Sequence, residues 1–77
     1  MDDLALHHAI AAALGVADAD IDANSDMSNT PHWDSMRQVM LMTELEGVFG
    51  VVFADEDILG ATSVAKIKDA LACAPKG

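Results

Sequence analysis

The fold is decided by residues 34–50, which read DSMRQVMLMTELEGVFG. Apolar residues recur in this stretch at intervals of three and four, the spacing that places side chains on one face of an α-helix. Glu46 shares this spacing, but its charge favours solvent. Gly50 follows the last apolar residue and is typical of the left-handed turn that ends a helix. We therefore predict a helix from about Ser35 to Phe49 whose core-facing residues are Val39, Met42, Leu45 and Phe49.

The same spacing predicts a helix on each side of this stretch. The first helix ends at Gly15, and its inward residues are Leu6, Ile10, Ala13 and Leu14. Ser63 is a favourable N-cap for the last helix, in which Pro75 and Gly77 are expected to fray the end. The inward residues of this last helix are Val64, Ile67 and Leu71.

A short segment precedes the last helix. Residues 55–57 are all acidic, which favours a helix start, and the turn that they begin ends at Gly60. The run 48–53 alternates like a strand, but Gly50 interrupts it and it has no pairing partner. We therefore predict an all-α fold, a four-helix bundle of three main helices and one short helix, with a long loop between helices 1 and 2.

That long loop carries Asp or Asn at every second position from 18 to 26, as a calcium-binding loop does. An EF-hand requires glycine at its sixth position and glutamate at its twelfth, where this chain has Ala23 and Asn29. We therefore expect a solvated acidic loop without a metal site, anchored to the core by Val16, Ile21 and Met27.

Composition restricts the class of protein and its partners. Residues 1–77 are enough for one small domain, and 13 acidic against four basic residues give a formal charge of −9. Such a charge repels nucleic acid and anionic lipid and favours basic protein surfaces. No apolar run is long enough for membrane insertion. The single cysteine and the absence of a signal-peptide pattern predict a cytoplasmic protein. We also expect a monomer.

Ser35 stands between Asp34 and Met36 where the central helix begins. A serine at this position lies at the positive end of the helix dipole, which favours a phosphodiester. The same serine also satisfies a capping box with Gln38, in which case it has only a structural role.

The sequence around Ser35 resembles the acyl carrier protein family, which includes the peptidyl carrier domains. The family signature is Asp-Ser-Leu at the head of the second helix, and Asp34-Ser35-Met36 matches it after Trp33. The resemblance extends over nearly the whole chain through Leu14-Gly15-Val16, Leu45-Glu46, Phe49-Gly50 and Thr62-Ser63-Val64.

This resemblance implies a carrier and not an enzyme. It implies that a phosphopantetheinyl transferase, reading Asp34, Met36 and Arg37, attaches 4′-phosphopantetheine from coenzyme A to Ser35. The arm would hold acyl intermediates as thioesters in a specialised fatty-acid, polyketide or lipid pathway. Two alternatives stay open: an aminoacyl or peptidyl carrier, and a small acidic module that responds to calcium or binds proteins.

Departures from the family pattern concern the partner enzymes, which are an acyl- or aminoacyl-loading ligase and a downstream acyltransferase or synthase. Fatty-acid carriers place acidic residues early in helix 2, where this chain has Arg37 and Met40, followed by Glu44. We expect these three residues to form a docking surface that is more apolar than usual. The resemblance further implies a groove for the cargo, lined by Ile58, Leu59 and Ala61.

Overall fold

The structure is a computed structural model, and it describes residues 3–76. Four α-helices follow one another in this range: α1 (Asp3–Leu14), α2 (Ser35–Phe49), α3 (Asp55–Gly60) and α4 (Val64–Cys73). A 3-10 turn at Asp18–Asp20 interrupts the long α1–α2 loop, and the described residues contain no strand. The predicted all-α architecture is confirmed. None of these helices is long and apolar enough to cross a bilayer.

The core forms where α1 and α2 pack together, and α4 contributes Val64, Ile67 and Leu71 to the same cluster. The prediction for Val39 is wrong, because its side chain is 42% exposed and Leu41 is fully buried instead. On α1, Ala11 is buried, while Ala13 is only partly buried against the core. The remaining predicted inward residues of α1 and α4 are confirmed. Side chains that are at most 1% exposed include Leu6, Ile10, Leu14, Leu41, Met42, Leu45 and Ile67.

The helix ends follow the predicted caps. Gly15 and Gly50 have φ angles of 73° and 65°, values that cost residues with a Cβ free energy. The Ser63 hydroxyl accepts a hydrogen bond from the Lys66 backbone N–H at 3.1 Å, which caps α4 as predicted.

Three expectations about the end of α2 and the segments that follow it are wrong. The run 48–53 does have a pairing partner, because Val51 forms an antiparallel bridge with Lys76 and the Val52 N–H donates to the Pro75 carbonyl at 2.9 Å. Pro75 is therefore held against the fold and does not fray, whereas Gly77 lies outside the described residues. Glu46 does not simply face solvent, because its Oε2 accepts from the Phe53 N–H at 2.8 Å.

The long loop is fixed to the start of α4. The Met27 N–H donates to the Thr62 carbonyl, and the Val64 N–H donates to the Ser25 carbonyl. The Asp26 carboxylate accepts from the Ser28 hydroxyl and backbone N–H, which lowers the pKa of Asp26. Within residues 3–76, no three His, Cys, Asp or Glu side chains are arranged to hold a metal ion.

Alanine substitutions at two glycines, one within α2 and one directly after it, are expected to change the stability in opposite directions. Gly47 lies inside the helix with open space around it, so Gly47→Ala raises the free energy of unfolding by about 0.5–1 kcal/mol. Gly50 has a positive φ, so Gly50→Ala lowers it by about 1–2 kcal/mol. Urea unfolding measures both changes, and a shift of the same sign in the two variants would contradict the assigned end of α2.

Candidate functional site

Ser35 is the first residue of α2 and is exposed, but it does not cap the helix. Asp34 is the N-cap, since its Oδ1 accepts from the Arg37 N–H at 2.8 Å. The Asp34 carbonyl accepts from the Gln38 N–H, also at 2.8 Å. The capping role considered for Ser35 is therefore wrong, because the aspartate one residue earlier is an equally good cap. Among the described residues, no side chain or backbone group is hydrogen-bonded to the Ser35 hydroxyl.

The first turn of α2 offers positive potential beside this hydroxyl. The N–H groups of Ser35 and Met36 precede the first intrahelical hydrogen bonds, and neither donates to a carbonyl in the described part of the chain. They lie at the positive end of the helix dipole, which favours an anionic group near Ser35. Part of the negative charge of Asp34 is already compensated by its bond from the Arg37 N–H.

Gln38 is 2% exposed, and its side chain connects the start of α2 to the loop before it and to the end of α3. Its Oε1 accepts from the Trp33 indole N–H at 2.7 Å. Its Nε2 donates to the carbonyl oxygens of Ile58, at 3.1 Å, and Ala61, at 2.8 Å. Sequence reasoning missed this role and treated Gln38 only as a capping partner. The available signal was its register, since Gln38 lies three and seven residues before the buried Leu41 and Leu45.

Trp33 anchors the end of the long loop, as an aromatic side chain before the helix suggests. Its side chain is 3% exposed and belongs to the core cluster. The chain turns at His32, where φ is 66°, directly before Trp33. Ser35 is thus exposed two residues after a fully anchored side chain.

Apolar side chains lie exposed on α2 and α3 near the serine. Met36 is 75% exposed, Met40 lies one helical turn further along the same surface, and Leu59 projects from α3. Met42 differs from these methionines because it is fully buried. Of the proposed docking residues, Arg37 is half-buried, while Met40 and Glu44 are exposed.

The three residues expected to line one cargo groove are divided between two cavities. A cavity of about 370 Å³ between α2 and α3 is lined by Val39, Asp55, Ile58 and Leu59. Ala61 is buried and lines a different cavity, between α3 and α4. The Ala61 carbonyl accepts a hydrogen bond from Gln38 Nε2, and this contact holds Ala61 away from the α2–α3 cavity. The expected position of Ala61 in the groove is therefore wrong.

The two adjacent residues at the head of α2 are expected to differ in their effect on stability. Asp34→Ala removes the cap and lowers the free energy of unfolding by about 1 kcal/mol. Ser35→Ala leaves it within about 0.5 kcal/mol, because the hydroxyl makes no hydrogen bond to residues 3–76. Thermal and urea unfolding of both unmodified variants measure this, and a larger loss for Ser35→Ala would show that the serine is the cap.

Comparison with known proteins identifies the family. Residues 5–71 match the family model described as the phosphopantetheine attachment site, and no curated protein matches the chain. Domains of this family carry covalently attached 4′-phosphopantetheine and act as carriers, not as catalysts. Since the match covers most of its 77 residues, the chain belongs to the family of phosphopantetheine attachment domains.

Proposed function

We propose that the chain is an acyl carrier protein in which Ser35 bears the phosphopantetheine arm. The observation that carries this proposal is the division of roles at the head of α2. Asp34 caps the helix through the Arg37 N–H, which leaves the exposed Ser35 hydroxyl available for modification. The matched family segment contains both residues.

The residues around Ser35 fit an attached phosphodiester. In the attachment reaction, the Ser35 Oγ attacks the coenzyme A phosphorus that bears the pantetheine. A new P–O bond forms to Oγ, the diphosphate P–O bond breaks, and adenosine 3′,5′-bisphosphate leaves. The hydroxyl proton passes to a base of the transferase. The unpaired N–H groups at the start of α2 then stabilise the phosphodiester charge.

The neighbouring side chains position the modified serine and its load. When attached, phosphopantetheine supplies a thiol that holds an acyl group as a thioester. Met36 offers an exposed apolar surface beside Ser35. Gln38 keeps α3 against α2, so Ile58 and Leu59 stay beside the cavity that Val39 lines. That cavity supports transient shelter of an apolar acyl group.

We further propose that the cargo belongs to a specialised fatty-acid, polyketide or lipid pathway. Early in α2, Met40 is 54% exposed and Arg37 is half-buried, so the surface next to Ser35 presents an apolar group and a cation. A partner with a purely basic docking surface gains little attraction there. The partners proposed are a phosphopantetheinyl transferase, a loading ligase and a dedicated acyltransferase or synthase.

Intact mass spectrometry tests the attachment site. After incubation with coenzyme A and a broad-specificity phosphopantetheinyl transferase, the chain is expected to gain one phosphopantetheine. Ser35→Ala is expected to gain none, whereas Ser28→Ala, which removes another exposed serine, is expected to gain one. A folded wild-type chain that stays unmodified beside a working control carrier, or a modified Ser35→Ala, would contradict the proposal.

Loading by a general fatty-acid malonyl transferase tests the docking surface. The modified chain is expected to be a poor substrate, and Met40→Glu is expected to raise kcat/KM about tenfold by attracting a basic docking surface. Val52→Glu adds the same charge at an exposed valine between α2 and α3 and is expected to change little. Efficient loading of the wild-type chain would contradict a dedicated partner set.

A further inference from the structure

A second apolar groove lies between α1 and α2, and neither the cargo cavity nor the attachment site includes it. Its volume is about 470 Å³. Each wall consists of residues one helical turn apart, so the walls are two facing helix surfaces. Val39, which lines the cavity against α3, lies on a different side of α2, about 100° around the helix from Met40 and about 180° from Val48. The walls comprise Ala5, Ala9 and Ala12 of α1 and Met40, Glu44 and Val48 of α2.

The α2 wall presents two large apolar side chains to solvent. Met40 is 54% exposed and Val48 is 58% exposed, and they are about 12 Å apart along the helix axis. The alanines of α1 leave room between these side chains and the opposite wall. Methionine adapts to the shape of a partner, and an apolar surface of this kind is typical of a protein interface. A length of about 12 Å corresponds to about two turns of a helix lying along the groove.

The negative charges at the edges of the groove favour a partner with basic side chains. Glu44 lies between Met40 and Val48 on one wall. On the other wall His8 is 2.8 Å from Asp18, which places a second carboxylate beside the groove. The whole chain has a formal charge of −9, so a second copy would be repelled. A ridge flanked by Lys or Arg side chains would instead be attracted at both edges.

We propose that the groove between α1 and α2 binds an amphipathic helix of a basic partner enzyme. Apolar side chains of that helix enter between Met40 and Val48, and its basic side chains pair with Glu44. The proposal rests on the proposed function in one respect, namely that the partner acts on the arm of Ser35. Met40 is about 7.5 Å from Ser35 along the axis of α2, so an enzyme docked in the groove has the arm within reach.

Nuclear magnetic resonance titration of the isotope-labelled chain tests the groove directly. The probe is a synthetic peptide with leucines on one helical face and lysines on the other, and its control has the same composition in scrambled order. The amide signals of Ala9, Glu44 and Val48 are expected to shift, and the scrambled peptide to bind about tenfold more weakly. Val48→Lys is expected to weaken binding about tenfold. Val52→Lys makes the same charge change at another exposed valine and is expected to bind as the wild type does.

Several outcomes would overturn the proposal. Equal binding of the scrambled peptide, or equal losses in Val48→Lys and Val52→Lys, would mean that charge alone attracts the peptide. Shifts confined to Val39 and Leu59 would place the site on the side of α2 that faces α3. A dimer in sedimentation equilibrium without peptide, abolished by Val48→Lys, would make a second copy the occupant. Ser35→Ala is titrated in parallel and is expected to bind normally, so failure of attachment at Ser35 is distinguishable from failure of the groove.

Discussion

The Gln38 side chain joins the first turn of α2 to the loop before it and to the end of α3. A buried primary amide is costly unless its donors and acceptor are satisfied. Here Oε1 is paired with the Trp33 indole, and Nε2 with the carbonyls of Ile58 and Ala61. No buried side-chain nitrogen or oxygen in the described part of the chain lacks a partner. Together with the packing of Ile58 and Ala61 against the core, this side chain fixes the position of α3 and of the cavity beside Val39.

This anchoring explains how the serine can be exposed without weakening the helix start. Trp33 and Gln38 are buried on either side of it, and Asp34 satisfies the Arg37 N–H. Neither the packing nor the cap therefore requires the Ser35 hydroxyl. A bulky substituent at that oxygen projects into solvent, where the positive end of the dipole favours its charge. The residues that hold the helix start and the residue proposed to carry the arm are therefore adjacent in sequence but separate in role.

The sequence predicted the helices well because periodicity and caps are local signals. The ends at Gly15 and Gly50 and the cap at Ser63 depend on the conformation of a few neighbouring residues. The errors concern contacts between distant segments. The periodicity assigns Val39 to the core, whereas the inward line of α2 passes through Gln38. A pattern of apolar residues does not count a polar residue as a core position.

The same limitation applies to the site and its surroundings. The sequence did not distinguish Asp34 from Ser35 as the cap of α2, since both residue types cap helices well. The hydrogen bond from Gln38 to the Ala61 carbonyl joins residues that are 23 positions apart. A pattern within a short stretch of sequence therefore cannot predict it. Pairing of Val51 with Lys76 also depends on how the two segments meet in the folded chain.

The most direct test of this account is amide and indole hydrogen exchange in the unmodified and phosphopantetheinylated forms of the same chain. If attachment at Ser35 leaves the cap and the anchor intact, the Arg37 amide and the Trp33 indole N–H will show the same protection in both forms. Loss of protection at either group on modification would contradict the account, because it would show that the Ser35 hydroxyl takes part in holding the start of α2.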